Sequence, residues 1–171
     1  MKIYIDCNIL SNLVGGIDRI DDKTAFALQK LALSNQEFFT SPITESEMKN
    51  TTNLRVKGAV LFIYKIFSGK KELKPETYEA TGWGDALMGE VPWGGGKATN
   101  PALHILNQAF EPCDARHIFQ ALSNHFDYFL TLDENSILKR YRANHMNIRA
   151  FCTNGKLKIV NPVELVVDLG L

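Results

Sequence analysis

Short apolar runs that stop at a carboxylate or a turn set the tightest limits on this chain. KIYI, residues 2–5, is too short for a helix and has the composition of a buried strand, yet Asp6 follows it directly. A carboxylate at the end of a hydrophobic run is costly to desolvate unless water or a cation reaches it. The same form returns in DYFLT (127–131), with Asp133 two residues beyond Thr131, and shorter strands are expected at EFFTSP (37–42), NIRAF (147–151) and KLKIV (156–160).

Helical stretches separate these runs. Asn8–Leu13 reads as a short helix, and Asp21–Leu33 as a longer one with Phe26, Leu28, Leu31 and Leu33 on its apolar surface. Thr44 followed by Glu47 has the form of a capping box, which predicts a helix from there to about Phe67, before Ser68-Gly69. Helices are also expected from Asp114 to about Asn124, from Glu134 to about Ala143, and over PVELVVDLG (162–170), where Pro occupies the first turn. Strands alternating with helices imply an α/β chain whose parallel sheet is covered on both faces.

A length of 171 residues, 45% of them hydrophobic, suits one domain with a continuous core that needs neither disulfides nor a structural metal. No apolar run approaches the roughly 20 residues of a spanning helix, and Asp6 and Asn8 break any signal-peptide pattern. No membrane association is therefore expected, and the expected location is cytoplasmic. Cys7, Cys113 and Cys152 are widely spaced with no CxxC, so they read as reduced thiols. His104, His117, His125 and His145 are scattered and read as surface or partly packed residues.

Nineteen basic and nineteen acidic residues cancel, so any nucleic-acid binding would have to use local patches. Lys70, Lys71 and Lys74 form one candidate, and Lys139, Arg140 and Arg142 another. Residues 75–101 hold half of the chain's glycines, three of its six prolines and both tryptophans, which marks a loop or insertion. GGGK within it is not a phosphate-binding loop, because Val91 and Ala98 replace the required Gly and Ser/Thr.

In open parallel sheets, function collects beyond the carboxyl ends of the strands. Asp6 and Asp133 fall there, and Glu47 and Asp114 lie in first turns of helices, the end such sheets place on the same rim. Carboxylates crowded on one rim raise one another's pKa values unless counter-charge is bound, and an all-oxygen cluster suits Mg²⁺ or Mn²⁺. A metal on Asp6, Asp114 and Asp133 would lower the pKa of a bound water for in-line attack on a phosphodiester.

The residues also carry a family resemblance. YIDCNIL resembles the opening of a PIN domain, with its apolar strand, Asp, any residue, Asn/Ser/Thr and an apolar pair. SPITESEM is similar to that family's second motif and selects Glu47 over Glu45; DARHIFQAL resembles the third, and DYFLTLDENSIL the fourth. KIVNPVELV resembles the usual strand-Pro-helix ending. The resemblance implies a three-layer α/β/α PIN-like fold with a central parallel sheet of four to five strands, formed by residues 1–171 as a single domain with the Gly/Trp-rich insertion at about 75–101.

It further implies a Mg²⁺- or Mn²⁺-dependent endoribonuclease that hydrolyses RNA. Asp6, Glu47, Asp114 and Asp133 would be its catalytic and metal-holding residues, Glu47 as ligand or as orienter of the water. Asn8, Thr131 and Asn135 would fix them by hydrogen bonds. A toxin of a toxin-antitoxin pair lies within the same resemblance, with an antitoxin protein and a second copy of the chain as partners. The alternative is a catalytically degenerate PIN domain that binds RNA or a protein through the 75–101 loop. Two departures stand out: the long interval between Glu47 and Asp114, and Asn135 where many members carry another acid. A haloacid-dehalogenase-like phosphatase would need a second Asp where this chain has Asn8. Trp83 and Trp93 are candidates for stacking on bases.

Overall fold

The computed structural model describes residues 1–15, 20–49 and 98–171, with positions 52, 54, 57–59 and 77–78 between them. In chain order the elements are β1 (Lys2–Ile5), α1 (Cys7–Gly15), α2 (Asp22–Ala32), β2 (Glu37–Phe39), α3 (Pro42–Lys49), β3 (Thr77–Tyr78), β4 (Ala98–Thr99), α4 (Pro101–Ala109) and α5 (Pro112–Ser123). Then follow β5 (Tyr128–Leu130), α6 (Ile137–Arg142), a 3-10 turn at His145–Asn147, α7 (Ile148–Asn154), β6 (Lys158–Val160) and α8 (Pro162–Leu169).

Four strands form one parallel sheet in the order β2-β1-β5-β6. Its register explains the apolar runs. Phe39, Tyr4, Phe129 and Ile159 are neighbours across the sheet on one face, where residues of α4, α5, α6 and α7 cover them. Ile5, Leu130 and Val160 make the matching row on the other face, packed with Ile9 and Leu10 of α1, Leu31 of α2 and Leu165 of α8. Because successive strand side chains alternate faces, a strand covered on both sides must be apolar throughout, which is why KIYI shows no polar alternation. Helices on both faces are what a three-layer α/β/α arrangement requires. Among the described residues, no helix is long and apolar enough to cross a membrane.

Local chemistry fixes several helix starts. Asp21 accepts from Thr24 N at 2.9 Å to cap α2, and Asn100 accepts from Ala102 N at 2.9 Å with Pro101 opening α4. Asn161 and Glu164 form a reciprocal capping box on α8. The capping box expected at Thr44 is not formed. Helix α3 opens two residues earlier, at Pro42, whose fixed φ suits a first helical position. The Thr44 hydroxyl is buried and meets Thr40 Oγ1 at 2.8 Å, so it braces the turn after β2. The expected continuation of this helix to Phe67 lies outside the described residues.

Two other expectations are corrected. NIRAF is the start of helix α7: Asn144 Oδ1 accepts from Arg149 N at 3.0 Å, and the buried Ile148 and Cys152 are spaced four apart on one helical face. The helix expected from Glu134 starts at Ile137, because the Asp133 carboxylate holds the N–H groups of Asn135 and Ser136 in a turn. Within 75–101, β3 and β4 pair antiparallel with Thr77 opposite Thr99. Trp83, Trp93 and GGGK lie outside the described residues, as do Lys70, Lys71 and Lys74.

The second basic cluster is largely spent on the chain itself. Arg140 Nη1 donates to Ala109 O at 2.7 Å, while Arg142 bridges Glu134 and, at 2.9 Å, Glu164. Arg140 and Arg142 are thus engaged within the chain, and Lys139 is exposed.

Helix α7 seats closely on α5. A Cβ added at Gly155 would lie 2.5 Å from Leu122 Cδ2 and 3.3 Å from Cys152 O. Gly155→Ala should therefore cost about 1–3 kcal/mol in urea unfolding, the usual penalty for overpacking. Trimming the neighbour, as Leu122→Ala, should make the double variant less destabilised than the sum of the two. Strict additivity would mean that the two sites do not touch.

Candidate functional site

The strand order reverses between β1 and β5, since β1 leads to β2 on one side and β5 leads to β6 on the other. Such a switch point opens a crevice at the carboxyl ends of the two strands. Asp6 and Thr131 stand there. Pairing runs past the strand ends, with Asp6 N donating to Leu130 O at 3.0 Å and Thr131 N to Val160 O at 3.1 Å. Asp6 is only 5% exposed, and Thr131 Oγ1 donates to its Oδ2 at 2.6 Å.

Thr131 is a hub. Its Oγ1 also accepts from Asn8 Nδ2 at 2.8 Å and from Asp133 N at 3.1 Å, while Asn8 Oδ1 accepts from Leu132 N at 3.1 Å. Asn8 and Thr131 thus tie the loops after β1 and β5 together, and of the two Thr131 donates to Asp6. Asp133 Oδ1 accepts from Asn135 N at 3.1 Å and Ser136 N at 2.8 Å, and Ser136 Oγ reaches Asp114 Oδ2 at 3.4 Å. Asn135 contributes its backbone N–H, and its side chain is exposed.

Asp114 feels the charges of the other two aspartates. Burial, then the charges of Asp6 and Asp133, push the Asp114 carboxyl from an ordinary 3.8 up to about 6. Asp6 is also raised, chiefly by burial with a contribution from Glu47, against the opposing charge of His117 and the hydrogen bond from Thr131.

Glu47 departs from the expected crowding. His117 Nε2 lies 3.0 Å from Glu47 Oε2. Burial would raise its pKa, yet the bond and charge of His117 bring it below the ordinary value. His117 is itself raised: burial alone would lower it, but the bond to Glu47 and the charges of Asp6, Glu47 and Asp114 prevail. The expectation that His117 is a surface or partly packed residue is corrected; it is 2% exposed and lies among the acids.

The ring of His117 is held from behind. Its Nδ1 lies 2.6 Å from Tyr4 OH, which also meets Ser41 Oγ at 2.7 Å. Two sequence signals could have found these residues. His117 follows Asp114 by three on one helix face, and Tyr4 precedes Asp6 by two on one strand face. The Glu45 side chain lies outside the described residues. An apolar cleft of about 670 Å³ between α1, α2 and β2, lined by residues such as Leu10, Leu28 and Phe38, contains none of these acids.

His117 thus acts on Asp6 and Asp114 through its charge and on Glu47 through a direct bond as well. Among the described residues, no group of three His, Cys, Asp or Glu side chains is set to hold a metal ion. No protein-family model, curated protein or solved structure matches the chain.

A carboxyl raised on folding binds its proton more tightly in the folded state, so its contribution to stability falls as pH rises from about 4 to about 6. Asp114→Asn should thus raise the melting temperature of metal-free protein at pH 8 and leave it nearly unchanged at pH 4. An equal shift at both pH values would remove the electrostatic reading of Asp114.

Proposed function

We propose that this chain is a metal-dependent endoribonuclease of PIN-like fold, acting in the cytoplasm. The observation that carries the reading is the convergence of Asp6, Asp114 and Asp133 at the switch point of a parallel sheet, with the charges of Asp6 and Asp133 helping to raise the Asp114 carboxyl to about 6. A rim of crowded carboxylate oxygens has the donor chemistry of a hard divalent cation. Asp6, Asp114 and Asp133 would hold Mg²⁺ or Mn²⁺. When bound, such an ion supplies an acidified water and offsets charge on phosphate oxygens.

The chain's own groups do the remaining work. Thr131 and Asn8 keep Asp6 aimed at the crevice, and the turn at Asn135 and Ser136 orients Asp133. Glu47, kept ionised by His117, is the candidate acceptor of a proton from the attacking water. A toxin role, with an antitoxin protein as partner and a homodimer as the assembly, would change the biological setting and leave this chemistry as written.

The test is direct. Purified protein should cleave single-stranded RNA with Mg²⁺ or Mn²⁺, stop on addition of EDTA, and be inactive as Asp6→Asn. Cleavage that survives chelation in metal-free protein would contradict the proposal. Binding of RNA without cleavage in either metal would favour the degenerate binding module instead.

A further inference from the structure

Glu47 sits at the end of a closed chain of buried groups. His117 is 2% exposed, and both of its ring nitrogens are engaged: Nε2 with Glu47 Oε2 at 3.0 Å and Nδ1 with Tyr4 OH at 2.6 Å. Tyr4 OH donates to Ser41 Oγ at 2.7 Å, and Ser41 Oγ accepts from Ile43 N at 3.3 Å in the first turn of α3, the helix that carries Glu47. The path thus runs from β1 through the start of α3 to Glu47, across to α5 and back to β1. The Tyr4 ring is locked by stacking on Phe129 with centroids 5.4 Å apart and by an edge contact with Phe126 at 5.7 Å. Neither end of His117 can turn without breaking a hydrogen bond, and the one to Tyr4 is buried.

From this we propose that His117, backed by Tyr4, is a positioning residue that holds Glu47 for the attacking water and apart from the cation held by Asp6, Asp114 and Asp133. The inference rests on the nuclease reading and divides its acidic residues into two jobs. An unrestrained Glu on a helix surface samples several rotamers, and fixing one removes that entropy from the reacting state. In the step served, the water oxygen bonds to phosphorus and its proton passes to Glu47. The bond from phosphorus to the leaving sugar oxygen breaks, and that oxygen takes a proton from solvent.

The experiment compares wild type, His117→Ala, His117→Gln, Tyr4→Phe and Asp114→Asn by Mn²⁺ titration calorimetry and by steady-state cleavage of single-stranded RNA, with folding checked by circular dichroism. His117→Ala should lower kcat at least about tenfold while KM and the Mn²⁺ affinity stay within about threefold, the pattern of an interaction used in the reacting state. His117→Gln keeps an N–H donor for Glu47 and should recover part of kcat. Tyr4→Phe should lose less than His117→Ala, again without loss of metal. Asp114→Asn should lose metal affinity.

Three outcomes would overturn the inference: Mn²⁺ affinity falling in His117→Ala as far as in Asp114→Asn, kcat unchanged in a folded His117→Ala, or no recovery in a folded His117→Gln. If wild type itself cleaves no RNA, the nuclease reading fails and this inference falls with it. If wild type cleaves and the His117 variants match it, only the inference falls.

Discussion

The carboxylate of Asp6 is taken out of water at the end of β1, and Thr131 Oγ1, 2.6 Å away, is the neutral donor that makes its burial tolerable. A buried carboxylate without partners would cost several kcal/mol or take up a proton. Thr131 can serve because β5 lies beside β1 in parallel register, with Leu130 opposite Ile5. The hydroxyl then also accepts from Asn8 and from Asp133 N, so one side chain joins the loops after both strands. Shift either strand by one residue and this arrangement is lost together with both apolar rows, because the faces of a strand alternate.

Tyr4 links the core to the rim. Its ring belongs to the apolar layer under α5, stacked on Phe129, while its hydroxyl reaches Ser41 and His117. The geometry of His117, and through it Glu47, is consequently set by core packing rather than by surface loops. Sites supported in this way hold their side chains more closely than sites built on loops alone. The rim is thereby divided. Glu47 is bonded directly to His117, whereas Asp114 is crowded by the charges of Asp6 and Asp133.

Much of this was legible from residue patterns, for identifiable reasons. The strands at 2–5, 128–130 and 158–160 were visible because burial on both faces demands continuous apolar runs, α2 through its apolar spacing and α8 through Pro162. The placement of Asp6, Asp114 and Asp133 followed from strand ends and a helix start. Thr44 misled because a capping-box pattern is also satisfied by a Thr that packs against another Thr, and Pro42 decided the start of α3. NIRAF misled because five residues are too few to separate a strand from a helix by period. His117 was hidden by its distance in sequence from Glu47 and Tyr4. The pairings themselves span 70 and 113 residues, so only the spacing of His117 from Asp114 and of Tyr4 from Asp6 pointed to them.

The proposed division of the rim has a spatial consequence that activity data do not give. Anomalous diffraction from a crystal of the protein soaked in Mn²⁺ would locate the ion. The expected result is a peak among the carboxylates of Asp6, Asp114 and Asp133, with Glu47 still on His117. A peak on Glu47 and His117, or none on the rim at saturating Mn²⁺, would contradict it.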